Sequence, residues 1–137
     1  MKLEPYIKNL SATADSCHKL SEILIEQGGM IEEMSEKLGI NIITYTGEPR
    51  VILEITDLNK LSDVRRVLRV INGEWKDELR QVWTSGKNVL VSWGNADNKL
   101  FEIWLCTTQE EFPEELKGKN CHFEDRVTVD KVLVCKS

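Results

Sequence analysis

Each of the two histidines in this 137-residue chain directly follows a cysteine, at Cys17-His18 and Cys121-His122, and the repeat raises the question of a zinc site. Adjacent side chains point about 100° apart on a helix and to opposite faces on a strand, so neither pair makes a two-ligand arm. No metal ligands are assigned. A Cys-His nucleophile would need the two groups brought together with a third orienting group, and no Gly-x-Ser-x-Gly elbow is present. Gly28-Gly29 and Gly118 lie in neither of the glycine-rich patterns that cradle phosphate. The paired carboxylates Glu32-Glu33, Glu110-Glu111 and Glu114-Glu115 have the pattern of solvated helix faces. The sequence therefore assigns no catalytic residue and no cofactor, and it reads as a non-enzymatic protein.

Two constellations could bind something. Arg65, Arg66 and Arg69 stand at i, i+1 and i+4 and form the clearest cationic cluster. Guanidiniums so placed can hold a phosphate or a carboxylate-rich surface, although a solvated face paired with Asp63 or Glu54 is the plainer reading. The second constellation is GKNVLVSWGNADNKLFEIWL, residues 86–105, two apolar runs that each carry a tryptophan. If its loop closes with Trp93 facing Lys99, then Val91 opposes Phe101 and Val89 opposes Ile103. Val89, Val91, Trp93, Phe101, Ile103 and Leu105 then share a core face. Leu90, Ser92, Leu100, Glu102 and Trp104 take the other face, which Trp83 and Trp75 would extend. A tryptophan there either anchors a partner or lies under a helix of its own chain. Trp104, Glu102, Leu90 and Trp83 are the candidate partner-binding residues.

The elements that position these groups can be read from periodicity. Ser11 offers a helix cap, and Leu10, Cys17, Leu24, Ile31 and Leu38 recur as a heptad seam with Leu20 and Met34 between them. Gly28 and Gly29 interrupt that seam, which resumes in phase and so favours one bent helix over two. Packing on a sheet is the ordinary fate of the stripe, whereas pairing through Leu20, Leu24, Ile31 and Met34 would give a homodimer. Residues 40–45 and 50–56 are rich in β-branched side chains around Thr46-Gly47-Glu48-Pro49 and predict a hairpin. Asp57 then caps a second helix with Leu58, Leu61, Val64, Leu68 and Ile71 on one face, ending near Asn72-Gly73. Residues 79–84, 88–93 and 100–107 predict an antiparallel meander, followed by a short helix after Thr108 and a last strand over 126–135. The expected fold is one α+β domain over 1–137. A long amino-terminal helix (1–38) precedes a body (39–137) with a mostly antiparallel sheet of about six strands and a second helix on one face.

Composition narrows the classes further. The chain carries 18 basic and 23 acidic residues, a net charge of -5, which argues against general nucleic-acid binding. It has neither an apolar run long enough for a membrane span nor the start of a signal peptide, so a cytoplasmic protein without a membrane partner is expected. Four widely spaced cysteines with no CxxC pair read as reduced, buried hydrophobes.

Residues 74–124, EWKDELRQVWTSGKNVLVSWGNADNKLFEIWLCTTQEEFPEELKGKNCHFE, resemble small accessory proteins of bacteriophages in their EIWL, EEFP and C-H-F-E elements. Residues 1–38 have no counterpart in that resemblance, and it implies no catalytic residues. It implies a protein made during infection, in the host cytoplasm, that binds a bacterial component, for example one of an immune system. The leading expectation is thus an inhibitor of a bacterial host or defence protein acting by protein–protein contact. The rival expectation is a small-molecule binder in which Arg65, Arg66 or Arg69 holds a nucleotide phosphate and a tryptophan stacks its base. A third is an oligomeric assembly protein built around the amino-terminal helix.

Overall fold

The computed structural model describes residues 2–73, 75–96, 99–108 and 110. Its first element is a 35-residue helix, α1 (Glu4–Leu38). It starts well before Ser11 because Pro5 occupies the first turn, where a fixed φ suits the helix and the missing N–H costs nothing. The helix runs through Gly28-Gly29 without ending. Ile31 and Met34, just beyond, are buried in the core and hold that weak turn in place. It stops at Gly39, whose φ of 66° is left-handed, and the Ile40 N–H donates to the Ser35 carbonyl at 3.1 Å.

A hairpin follows, with β1 (Asn41–Thr44) antiparallel to β2 (Val51–Ile55) across a turn containing Gly47. The Asp57 carboxylate accepts from the Asn59 N–H at 2.9 Å and caps a 3-10 turn, Leu58–Lys60, that leads into α2 (Leu61–Asn72). The Lys60 ammonium donates to the Leu38 carbonyl, tying the start of α2 to the end of α1. Then β3 (Asp77–Ser85), β4 (Asn88–Asn95) and β5 (Phe101–Thr108) form the expected meander. The sheet order is β1-β2-β5-β4-β3, with β2 and β5 parallel and every other pair antiparallel.

The fold is α+β, with five strands among the described residues rather than the six expected. The proposed last strand over 126–135 and most of the short helix after Thr108 lie outside the described residues. The β4–β5 register also differs from expectation: Trp93 faces Ile103, Val91 faces Leu105 and Val89 faces Thr107. Each partner moves along by an even number of residues, so the pleat keeps the same side chains on the same face. Val89, Val91, Trp93, Phe101, Ile103 and Leu105 are accordingly all buried. Leu100, expected on the opposite face, precedes β5 and is buried in the core, as is Trp75.

Leu20, Ile31 and Met34 of α1 and Leu61, Val64, Leu68 and Ile71 of α2 join Val51, Leu53 and Ile55 and the inward side chains of β4 and β5 in one core. Both helices therefore lie on the same face of the sheet. Among the described residues no helix is long and apolar enough to cross a membrane.

The glycine pair gives a direct test of this packing. A Cβ at Gly29 would meet open space, and one at Gly28 would make an ordinary 3.8 Å contact with Leu24. Gly28→Ala and Gly29→Ala are each expected to stabilise the protein by about 0.8–1 kcal/mol, read as a higher denaturant midpoint at unchanged slope.

Candidate functional site

The face of the sheet turned away from the helices carries three rows of side chains. Trp83, Leu90 and Cys106 stand side by side on β3, β4 and β5. The next row runs Ser92, Trp104, Glu54 and Asn41, and the third runs Gly94, Glu102, Ile52 and Ile43. Alternation along the strands dictates this membership. Burying Phe101, Ile103 and Leu105 of β5 forces Glu102, Trp104 and Cys106 outward.

Trp83 is 53% exposed, and it and Trp104 line an open hollow of about 420 Å³ with Leu90, Cys106, Glu54 and Asn88. All four partner-binding candidates read from the sequence, Trp83, Leu90, Glu102 and Trp104, share this face. A sheet with helices on one side and water on the other ordinarily alternates apolar and polar side chains. On this face Ile52 and Ser92 are buried and Leu90 and Trp104 half-buried, so the open apolar surface is centred on Trp83.

Trp104 is held by a relay of polar contacts. Its indole N–H donates to Glu102 at 3.3 Å, and Glu102, only 18% exposed, also meets Arg50 at 3.4 Å. Arg50 pairs with Glu48 and lies 5.3 Å above the Tyr45 ring. The charge on Glu102 thus has a partner, and its second role is to orient an indole. Arg80 occupies a bulge in β3 and lies over Gly94, where a Cβ would come within 2.6 Å of its guanidinium. It donates to the Asn95 carbonyl at 2.8 Å, and a Cβ at Gly94 would displace it from this position.

Glu54, Arg50 and Cys106 were not candidates from the sequence. The signal for Cys106 was available, since it lies two residues beyond Trp104 on the same strand. Glu54 and Arg50 reach the site through the parallel β2–β5 pairing, for which no local pattern exists. Burial pushes the Cys106 thiol above its ordinary value, and the neighbouring Glu54 carboxylate pushes it further in the same direction.

Two of the three arginines already have partners. Arg65 pairs with Asp77 at 2.8 Å and stacks 5.4 Å from the Trp93 ring, whereas Arg66 pairs with Asp63 at 3.4 Å. Trp93 and Trp75 are buried, and the accessible Trp83 and Trp104 lie across the sheet from α2. An arginine of α2 and an open tryptophan therefore cannot grip the two ends of one nucleotide. Of the proposed self-association residues, Leu20, Ile31 and Met34 are taken up by the core, and Leu24 stays partly exposed. Among the described residues no group of acidic, histidine and cysteine side chains is arranged to hold a metal ion. A larger hollow of about 510 Å³ between α1 and β1 is walled by Glu32, Glu33 and Glu36. A hydrogen bond from Lys37 holds the Glu33 carboxyl below its ordinary value.

The raised Cys106 value has a kinetic consequence. Cys17, read from the sequence as buried, is exposed, and Cys106 is expected to alkylate more slowly than it near pH 8, because only the thiolate reacts. Glu54→Gln removes the charge that disfavours the thiolate and should speed Cys106 alone, measured site by site by peptide mass spectrometry. No family model, curated protein or solved structure matches the chain.

Proposed function

We propose that this chain is a non-enzymatic binding protein that engages a protein partner through the tryptophan face of its sheet. The observation that carries the reading is the paired Trp83 and Trp104 around an apolar hollow on the side away from the helices. Contiguous exposed apolar surface marks interaction sites, and tryptophan is among the residues that dominate binding energy. Covering Trp83 alone removes on the order of 100 Å² of apolar surface from water, worth about 2.5 kcal/mol.

The partner in this proposal is a bacterial host or defence protein, and the chain is a bacteriophage-encoded inhibitor that acts in the host cytoplasm. The support is the resemblance over residues 74–124, a segment whose EIWL element contributes Glu102 and Trp104 to this face. An inhibitor of that kind needs surface complementarity and no chemistry of its own, which agrees with a face built from indoles, an oriented carboxylate and a shielded thiol.

The test compares wild type with Trp83→Ala and Trp104→Ala in native pull-downs from bacterial lysate. The wild type should retain one protein in stoichiometric amount, and that complex should protect Cys106 from alkylation. Trp83→Ala should weaken the complex by about 50-fold, with the unfolding transition unchanged because the side chain is mostly exposed. Equal retention by both variants would remove the sheet face from the proposal. Quenching of tryptophan emission by cyclic or linear nucleotides would point instead to a small molecule held on the tryptophan face without the arginines of α2.

A further inference from the structure

The hollow on the outer sheet face holds a carboxylate as well as indoles. Glu54 of β2 stands beside Trp104 of β5 in the parallel register, and it lines the same opening of about 420 Å³ as Trp83, Leu90 and Cys106. Its position is half-buried, so the carboxylate keeps only part of its hydration. The other carboxylates of the described strands each meet an arginine: Asp77 meets Arg65 at 2.8 Å, Glu78 meets Arg80 at 3.7 Å and Glu102 meets Arg50 at 3.4 Å. Glu54 instead accepts from the Asn41 side-chain amide at 3.1 Å, and among the described residues no cation pairs with it. An amide satisfies one lone pair of the carboxylate and leaves its charge uncompensated. That charge is felt in the hollow, since it helps to hold the Cys106 thiol in its protonated form.

The fold itself shows what this combination of groups binds. Arg65 lies 5.4 Å from the centre of the Trp93 ring while pairing with Asp77. Arg50 lies 5.3 Å from the centre of the Tyr45 ring while pairing with Glu48 and Glu102. In both places a guanidinium has an aromatic ring beside it and a carboxylate within ion-pair distance, because its flat face and its N–H fork can be used together. The hollow has the ring, in the 53% exposed Trp83, and the carboxylate, in Glu54, without the cation. An apolar anchor fits it less well, since covering Glu54 with hydrocarbon strips water from an uncompensated charge. A phosphate or carboxylate of a ligand would meet like charge there.

We propose that the hollow receives an arginine side chain of the protein partner, with its guanidinium against the Trp83 indole and paired with Glu54. This anchor rests on the reading of the tryptophan face as a protein interface and adds the chemistry that the partner must present. Arginine suits the site better than lysine, because a planar and weakly hydrated cation stacks on a ring and offers a carboxylate two N–H groups at once. Leu90 lies where the apolar stem of the arginine passes. Binding of this kind weakens as salt rises, whereas an apolar anchor is indifferent to it.

A titration of the isotope-labelled full chain with N-acetyl-arginine amide, following the indole N–H resonances, tests the proposal. The expected result is a saturable shift of the Trp83 signal, identified by its loss in Trp83→Ala, while the signals of the buried Trp75 and Trp93 stay in place. Glu54→Gln keeps the shape of the side chain and an acceptor for Asn41, so its unfolding midpoint should be no lower than wild type. It should weaken the response to the arginine amide about tenfold. The citrulline counterpart of the probe has arginine's shape without its charge and should move no indole signal. A flat titration with the arginine amide, or an equal response to the citrulline amide, overturns the proposal. The same variant in the lysate pull-down separates the anchor from the interface. A partner that is lost with Trp83→Ala but held undiminished by Glu54→Gln overturns the arginine anchor and leaves the protein interface standing. Should the wild type retain no protein, the interface reading falls, and the titration by itself decides whether the hollow binds a guanidinium.

Discussion

The parallel pairing of β2 with β5 joins two pieces of chain that hairpins alone would leave apart, the β1–β2 ribbon and the β3–β4–β5 meander. Parallel neighbours need a long crossover, and here it contains α2 and two strands of the meander. The pairing is held by side chains almost wholly removed from water: Leu53 and Ile55 of β2 and Phe101, Ile103 and Leu105 of β5 are 0–1% exposed. Burying each contributes about 1.5–3 kcal/mol. The site depends on the same register, because it sets Glu54 beside Trp104 and brings Arg50 within reach of Glu102.

A buried apolar side and an outer side that carries tryptophan are two consequences of one pleat. β5 alternates buried and half-buried positions from Phe101 to Thr107, so the tryptophan that faces outward is anchored by the leucine and isoleucine that flank it. Glu102 adds a directional restraint on the indole, and Arg50 neutralises the carboxylate that provides it. A face prepared in this way loses little side-chain freedom when it is covered, which lowers the cost of association. The bulge at Arg80 places a cation beside this surface without breaking the β3–β4 ladder.

The helical layer follows a different constraint, the mismatch between a helix that rises about 1.5 Å per residue and a sheet only a few strands wide. α2 is short enough to be used entirely by the core, with Val64 and Leu68 fully buried. α1 is not, and its apolar period continues past the last place where the sheet can receive it. The described residues thus present apolar surface of different chemistry in separate places, an aromatic sheet face and a helical stripe of Leu3, Tyr6, Ile7 and Leu10.

The sequence by itself determined what local periodicity can encode. The heptad period predicted α1, β-branched runs around turn residues predicted the first hairpin, and alternation assigned Val89, Val91, Trp93, Phe101, Ile103 and Leu105 to one face. Parity made that assignment robust, since an even shift of register leaves each side chain on its own face. The partners across strands were beyond it, because pairing β2 with β5 rests on contacts between residues far apart in the chain. That tertiary decision moved Glu54, Arg50 and Cys106 into the site and buried Trp75 and Leu100. It also separated the arginines of α2 from the open tryptophans by the thickness of the sheet. The division of α1 into a packed and a projecting part was likewise decided in three dimensions, since one repeat runs through both and only the sheet's finite extent tells them apart.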